Sequence, residues 1–225
     1  MTRRRRGALV VATLAVLILA TVGCSTESAG RSTTTTTRSV PPATPRVLVL
    51  GDSNVFESAA DIDAALRNVG FEPTIHGVPG LGVKQVDPYW SEEVPRRLES
   101  DPGVVVVGLG TNDAVEPLDV LTFAGRLDQM MELIGDRPVV WITHVDDRPA
   151  APAAAGRSVN AAIRAAPLRW PNLTGLDFTA SMAEDPTILR ADGLHFSASG
   201  MKVYGAAIAL AATDRLPAGA ISDRG

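Results

Sequence analysis

Three side chains that together could cleave an acyl bond lie far apart in this sequence of 225 residues. Ser53 stands in the segment GDSN directly after an apolar run, and Asp192 and His195 lie three residues apart in DGLHFS. A serine hydroxyl is a weak nucleophile at neutral pH until a base removes its proton. An imidazole can be that base, with a carboxylate holding its tautomer. Asp192 can reach His195 in a turn, whereas in a helix this spacing is typical of a surface capping pair.

The elements that would position these side chains follow from the apolar pattern of residues 46–215. Strands are predicted at 46–50, 72–76, 103–109, 138–143 and 172–178, and helices at 56–70, 89–100, 116–135, 153–166 and 197–216. Strands rich in Val, Ile and Leu with helices between them indicate a parallel sheet covered on both faces. We therefore expect a three-layer α/β/α sandwich with a five-stranded parallel sheet. Ser53 would stand beyond the carboxyl end of the first strand, where such sheets bind ligands.

Four segments resemble the sequence blocks of the SGNH hydrolases, also called the GDSL esterase/lipase superfamily. They are GDSN at 51–54, GVPGLG at 77–82, GLGTND at 108–113 and DGLHFS at 192–197. They occur in the order of that superfamily, and each follows a predicted strand or precedes the last predicted helix. The resemblance implies the flavodoxin-like SGNH hydrolase fold and a serine ester hydrolase that needs no cofactor.

The resemblance also implies a role for each matching residue. Ser53 would be the nucleophile, His195 the base and Asp192 its carboxylate partner. The oxyanion hole would consist of the backbone N–H groups of Ser53 and Gly80 and the side-chain amide of Asn112. Donors aimed at the developing oxyanion are a large source of acyl-transfer catalysis, and a glycine lets the backbone approach a substrate closely.

Several neighbouring residues receive supporting roles or leave alternatives open. Gly77 and Gly82 lie close to Gly80 and compete with it as the glycine donor. Asp52 and Asp113 are expected to accept backbone N–H groups and shape their loops. Asn54 replaces the Leu or Ile that is common after this serine in the superfamily, so we expect a local change in the pocket wall.

The remaining candidates favour structural roles. His144, Asp146 and Asp147 follow the fourth predicted strand, and we expect a substrate-contacting loop rather than a metal site. GVPGLG lacks the Gly-Lys-Ser/Thr that follows in a phosphate-binding loop. His76 is expected to be a packed polar residue. The aromatic residues that could line an acyl or sugar pocket, but are expected in the core, are Phe56, Tyr89, Trp90 and Trp141.

The amino terminus predicts export from the cytoplasm. Four arginines precede an uncharged run at 7–23, and Cys24 follows, which is typical of a signal peptide at 1–23 with the arginines retained inside. The segment TVGC resembles a bacterial lipobox, so Cys24 is expected to carry lipid. The run reaches the lower edge of a membrane span, so an uncleaved anchor and simple secretion remain alternatives. Residues 24–45 are predicted to be a disordered linker rich in Ser, Thr and Pro, and 216–225 a flexible tail.

The cysteine count and the net charge exclude some kinds of nucleophile and binding partner. Cys24 is the only cysteine, so the domain at 46–215 has no disulfide or thiol nucleophile. From Cys24 onward, 21 − 4 = 17 basic residues oppose 25 acidic ones, a net charge of −8, which argues against nucleic acid. We expect a monomer anchored by lipid to the membrane, without metal, acting on a small-molecule or glycan ester. The alternatives are an acyl- or acetyltransferase or deacetylase of a cell-envelope polysaccharide, and a tethered binding module without catalysis.

Overall fold

The computed structural model describes residues 43–144 and 153–217. The predicted signal peptide, Cys24 and most of the linker lie outside the described residues, as do Asp146, Asp147 and most of the carboxyl-terminal tail. The described chain forms the predicted α/β fold around a five-stranded sheet in which every neighbouring pair of strands is parallel.

The strands match the predicted strands closely. They are β1 (Arg46–Gly51), β2 (Glu72–Gly77), β3 (Val104–Gly108), β4 (Val139–Ile142) and β5 (Leu173–Leu176). Their order across the sheet is β2-β1-β3-β4-β5. Each crossover contains helical residues, which parallel strands need to return to the same edge. The chain reverses its direction across the sheet between β1 and β3, and such a switch point leaves a crevice at the carboxyl ends.

Seven α-helices cover the two faces of the sheet in the described residues. They are α1 (Ser53–Glu57), α2 (Ala59–Asn68), α3 (Ser91–Leu98), α4 (Val120–Ile134), α5 (Ala153–Ala165), α6 (Thr179–Glu184) and α7 (Ala198–Thr213). Shorter helical turns lie at Val83–Gln85, Val86–Trp90, Ala166–Leu168 and Pro186–Ile188. None of these helices has the length and apolarity that a bilayer span requires.

Alternation along the strands builds two separate hydrophobic layers. Leu48 and Leu50 of β1 pack with α3, α4 and α5, whereas Val47 and Val49 pack with α2, α6 and α7. Successive strand side chains point to opposite faces, and both faces are covered, which explains why β1, β3 and β4 are apolar along nearly their whole length. The sheet is therefore a rigid central support for the loops at its carboxyl edge.

Two predicted helices begin at other residues than the sequence pattern suggested. The helix predicted at 56–70 is two helices, and the first begins at Ser53 because the Asp52 carboxylate caps it by accepting the Asn54 N–H. Five residues are too few to show helical periodicity. The helix predicted at 116–135 begins at Val120, where Asp119 accepts the Thr122 N–H. The short helix α6 was not predicted, for the same reason as α1.

Candidate active site

The turn from β1 into α1 presents Ser53. The Asp52 side chain is fully buried and bonds the Asn54 N–H at 2.9 Å, as expected for a carboxylate that shapes this loop. A helix N-cap of this kind satisfies a backbone donor that has no partner within the helix. Ser53 is thus the first residue of α1, half-buried at the carboxyl edge of the sheet.

A continuous chain of hydrogen bonds joins Ser53, His195 and Asp192. The Ser53 Oγ lies 3.1 Å from His195 Nε2, and His195 Nδ1 lies 2.8 Å from Asp192 Oδ2. The hydrogen bond from His195 is the main cause that lowers the pKa of Asp192 to about 2, and two backbone N–H groups add to it. An ionised carboxylate only accepts hydrogen bonds, so Nδ1 carries the ring proton. In the neutral ring Nε2 is then the acceptor for the Ser53 hydroxyl.

The segment around Asp192 is a turn, not a helical capping pair. Asp192 Oδ1 accepts the backbone N–H groups of Leu194 at 2.9 Å and His195 at 3.0 Å. The second carboxylate oxygen is left for the imidazole ring. One side chain therefore builds the turn and orients the base at the same time.

The three expected oxyanion donors lie just beyond the carboxyl ends of β1, β2 and β3. Ser53 N–H is at the start of α1, and no protein acceptor for it is present in the described chain. Gly80 is exposed, has φ +81° and has open space where a Cβ would stand. Asn112 Nδ2 donates to the Leu81 carbonyl at 2.9 Å, and its amide has a second hydrogen to donate. Asn112 is thus tied to the loop that contains Gly80.

Asp113 joins the same two loops more firmly. Its buried carboxylate accepts the N–H groups of Val83 at 2.7 Å and Lys84 at 2.8 Å, and it pairs with Arg126 at 3.1 Å. Burial raises the pKa of Asp113, and these three partners oppose that rise. A Cβ at Gly82 would lie 2.4 Å from Asp113 Oδ2, so only glycine permits this approach. The expected structural role of Asp113 is confirmed.

Two buried tryptophans and one histidine donate hydrogen bonds to backbone carbonyls of these loops. Trp90 Nε1 donates to the Gly82 carbonyl at 2.9 Å, and Trp141 Nε1 donates to the Leu109 carbonyl at 3.0 Å. His144 Nε2 donates to the same Leu109 carbonyl at 2.7 Å, so in the neutral ring Nδ1 accepts the Thr111 hydroxyl at 2.8 Å. Both tryptophans belong to the core, as expected, and His144 braces the turn before Asn112.

The other predicted residues lie apart from the hydrogen-bonded chain of Ser53. His76 is a packed polar residue that contacts Tyr89 at 2.9 Å and Arg97 at 3.0 Å. Phe56 does not lie in the core, because 57% of it is exposed on α1. Within the described ranges, no three His, Cys, Asp or Glu side chains are grouped to hold a metal ion.

Comparison with known families agrees with this geometry. The family model for the GDSL-like lipase/acylhydrolase family matches residues 49–203, which is more than half of the chain. The match begins within β1, ends within α7 and includes every residue of the hydrogen-bonded chain and of the expected oxyanion hole. The chain therefore belongs to the GDSL-like lipase/acylhydrolase family. A search of curated proteins returned no significant match.

Solved structures share the fold. A lipase/acylhydrolase from Enterococcus faecalis is 26% identical, with 77% of this chain and 97% of that chain covered and a TM-score of 0.65. The C-terminal catalytic domain of peptidoglycan O-acetyltransferase A from Streptococcus pneumoniae is 18% identical over 76% of this chain and 94% of that chain, with a TM-score of 0.60. A GDSL-like lipase from Bacteroides thetaiotaomicron is 22% identical over 76% and 89%, with a TM-score of 0.59. The last two show a common fold.

Proposed function

We propose that this protein is a serine esterase that hydrolyses small acyl esters through Ser53, His195 and Asp192. The observation that carries the proposal is the hydrogen-bonded order of hydroxyl, imidazole and carboxylate at 3.1 and 2.8 Å. A binding role alone would place no demand on this order. Membership of the acylhydrolase family supports the same reaction class.

The proposed reaction has two half-reactions, acylation of Ser53 and hydrolysis of the acyl-enzyme, and each group of the site acts in both. Ser53 Oγ attacks the ester carbonyl carbon while its proton passes to His195 Nε2. The tetrahedral oxyanion accepts hydrogen bonds from the N–H groups of Ser53 and Gly80 and from the Asn112 amide. The carbon–oxygen bond to the alcohol then breaks, and the alcohol leaves with the proton from His195. Water repeats these steps on the acyl-enzyme and releases the acid.

We propose short acyl groups as the substrates, with acetyl esters of small molecules or glycans first among them. The support is the exposure of Gly80 and the short connections from β1 to α1 and from β2 to the helical turn at Val83–Gln85. An open site of this kind offers little apolar surface for a long acyl chain. Faster turnover of long-chain esters than of acetyl or butyryl esters would contradict this part of the proposal.

The deciding experiment is one panel run on the wild type and Ser53→Ala together. It contains esters of increasing acyl length and acetylated glycans, and acid release is measured. We expect release from acetyl esters by the wild type and none above background by Ser53→Ala. Labelling of Ser53 by a fluorophosphonate tests the nucleophile directly, and absence of both labelling and turnover would favour a binding module.

The same acyl-enzyme could also pass its acyl group to a sugar hydroxyl. The likeness to an O-acetyltransferase domain motivates this second candidate, although it rests on fold alone. Adding a glycan acceptor to the panel separates the two activities. Acetylated acceptor in place of free acetate would identify a transferase, whereas unchanged acetate release supports the hydrolase.

A further inference from the structure

The hydrogen bonds of Asp192 do not explain how the distance between Ser53 Oγ and His195 Nε2 is maintained. Asp192 and His195 belong to the same turn, so their hydrogen bond orients the ring but does not fix the turn relative to Ser53. Ser53 and His195 are 142 residues apart in the chain. Other contacts must therefore hold the turn against α1 if the two reacting atoms are to stay at 3.1 Å.

The side chain directly after Ser53 makes one such contact. Asn54 Nδ2 donates to the carbonyl oxygen of Leu194 at 3.3 Å, which joins the residue after Ser53 to the residue before His195. Asn54 is only 7% exposed, and its Oδ1 has no hydrogen-bond partner in the described chain. Burying an amide with an unpaired oxygen costs free energy. An apolar side chain would avoid that cost, so stability of the core does not explain this asparagine.

A second contact comes from Arg190, on the other side of the turn. Its Nε donates to the Phe196 carbonyl at 2.9 Å, and its own backbone N–H donates to the His195 carbonyl at 2.8 Å. Its Nη2 forms an ion pair with the Glu57 carboxylate at the end of α1. Arg190 therefore holds the backbone of the turn with one part of its guanidinium and α1 with the other.

Both contacts start from the same side of α1. Asn54 and Glu57 are three residues apart, which places them on one face of a helix. We infer that Asn54 and the Glu57–Arg190 ion pair are positioning residues that clamp the turn of His195 against the helix of Ser53. This inference rests on the proposed function, because it assigns the clamp to the distance over which Ser53 transfers its proton.

The test compares Asn54→Leu, Arg190→Gln and the double variant in the full chain. The controls are Asn172→Leu, whose side chain bonds two carbonyls at the opposite end of the sheet, and Arg67→Gln, which loses an ion pair on α2. The readouts are kcat and KM for an acetyl ester and the rate of fluorophosphonate labelling. Thermal melting measures the folded fraction of each variant.

We expect each single clamp variant to lower kcat and the labelling rate about 10-fold, and the double variant about 100-fold, because small misplacements of reacting groups are costly. KM should change less than about 2-fold, since substrate contacts remain. Arg190→Lys should recover part of the loss, because it can still pair with Glu57. Wild-type rates in the double variant, or equal losses in the controls, would overturn the clamp.

Failure of the proposed function is distinguishable by a structural readout. If the wild type neither turns over esters nor labels, proton NMR still reports whether the His195 ring lies beside the Ser53 side chain, through the nuclear Overhauser effect between them. The clamp predicts that this signal is present in the wild type and both controls and is lost in the double variant. Retention of the signal in the double variant would refute the clamp.

Discussion

At the scale of single residues, the Asp192 carboxylate has two functions. Asp192 uses Oδ1 to hold the backbone of its turn and Oδ2 to hold the imidazole. Because the pKa of Asp192 is about 2, this side chain stays ionised at neutral and mildly acidic pH. In the neutral ring the proton of His195 therefore lies on Nδ1, and Nε2 faces Ser53.

The substitution Asp192→Asn separates the structural function of this side chain from its effect on the imidazole. The new side chain keeps an oxygen that can accept the two backbone N–H groups but loses the charge that fixes the tautomer. We expect kcat for an acetyl ester to fall about 10³- to 10⁴-fold with little change in the melting temperature. Steady-state kinetics and thermal melting at pH 7 check this. A loss smaller than about 10-fold would show that the carboxylate charge is not needed.

Asn112→Ala tests the oxyanion hole. The amide is held by Leu81 in a turn that follows the buried strand β3, so it is fixed before substrate binds. We expect kcat to fall about 10²- to 10³-fold, as for removal of one such donor elsewhere, while KM stays nearly constant. Asn172→Ala, which removes an amide far from the site, is the matched control and should keep wild-type kcat.

At the scale of elements, close packing of α1 on β2 fixes the position of Ser53 relative to the sheet. A Cβ built at Gly77 would lie 2.3 Å from the backbone nitrogen of Phe56. Backbone cannot rotate away from such a clash as a side chain can. The glycine that ends β2 is therefore part of the support of the nucleophile, although it carries no functional group.

Gly77→Ala should therefore be destabilising and should also lower activity. We expect the free energy of unfolding to fall by about 1–3 kcal/mol, as for overpacked cores, and kcat to fall with it because α1 must shift. Gly125→Ala is the matched control, since α4 has open space at that position. It should raise stability by about 0.5–1 kcal/mol and leave kcat unchanged. Denaturant titration and kinetics measure both, and equal stability of the two variants would contradict this account.

The contact of β2 with α3 predicts a pH dependence of stability. Burial, followed by the charge of Arg97, lowers the pKa of His76 below 6.5. The unfolded chain then takes up this proton before the folded one, so stability falls as the pH drops below about 6.5. His76→Gln should flatten the slope of unfolding free energy against pH below about 6.5. An unchanged slope in denaturant titrations across this range would contradict the prediction.

At the scale of the whole molecule, strand order assembles the site. The order β2-β1-β3 places the loops that follow these strands side by side, and they contain Gly80, Ser53 and Asn112. The loop before α7 then brings His195 to the same edge. Ligand crevices at such switch points are a general property of open parallel sheets.

The amino-terminal segment gives a prediction for the location of this domain. We propose that the chain is exported and carries lipid on Cys24, which would hold the esterase on the outer face of a membrane. In a bacterial host, the mature wild type should begin at Cys24, with lipid detected by mass spectrometry, and should partition into detergent. Cys24→Ala should lose the lipid. A wild-type chain that partitions into water after cleavage would show simple secretion instead.

Much of the fold and of the site could be predicted from local sequence. The strands β1, β3 and β4 are nearly uninterrupted apolar runs, because both faces of the sheet are covered there. The edge strand β2 is half-exposed and contains polar residues. Three of the four chemical blocks lie directly after a strand, and the fourth precedes α7. The turn at Asp192 was one of two possibilities, since a three-residue spacing suits a helix and a turn alike. The early start of α1 and the presence of α6 were missed because five or six residues are too few for a periodic signal.

The residues that hold the site together could not be predicted in this way. The ion pair of Glu57 and Arg190 spans 133 positions and has no local pattern, and the unusual asparagine after Ser53 suggested only a changed pocket wall. Sequence alone determined which groups are available for chemistry and which strands carry them, because these depend on residue type and short-range periodicity. Only the tertiary structure decided which distant groups touch, because such contacts depend on how elements pack rather than on the residues beside them.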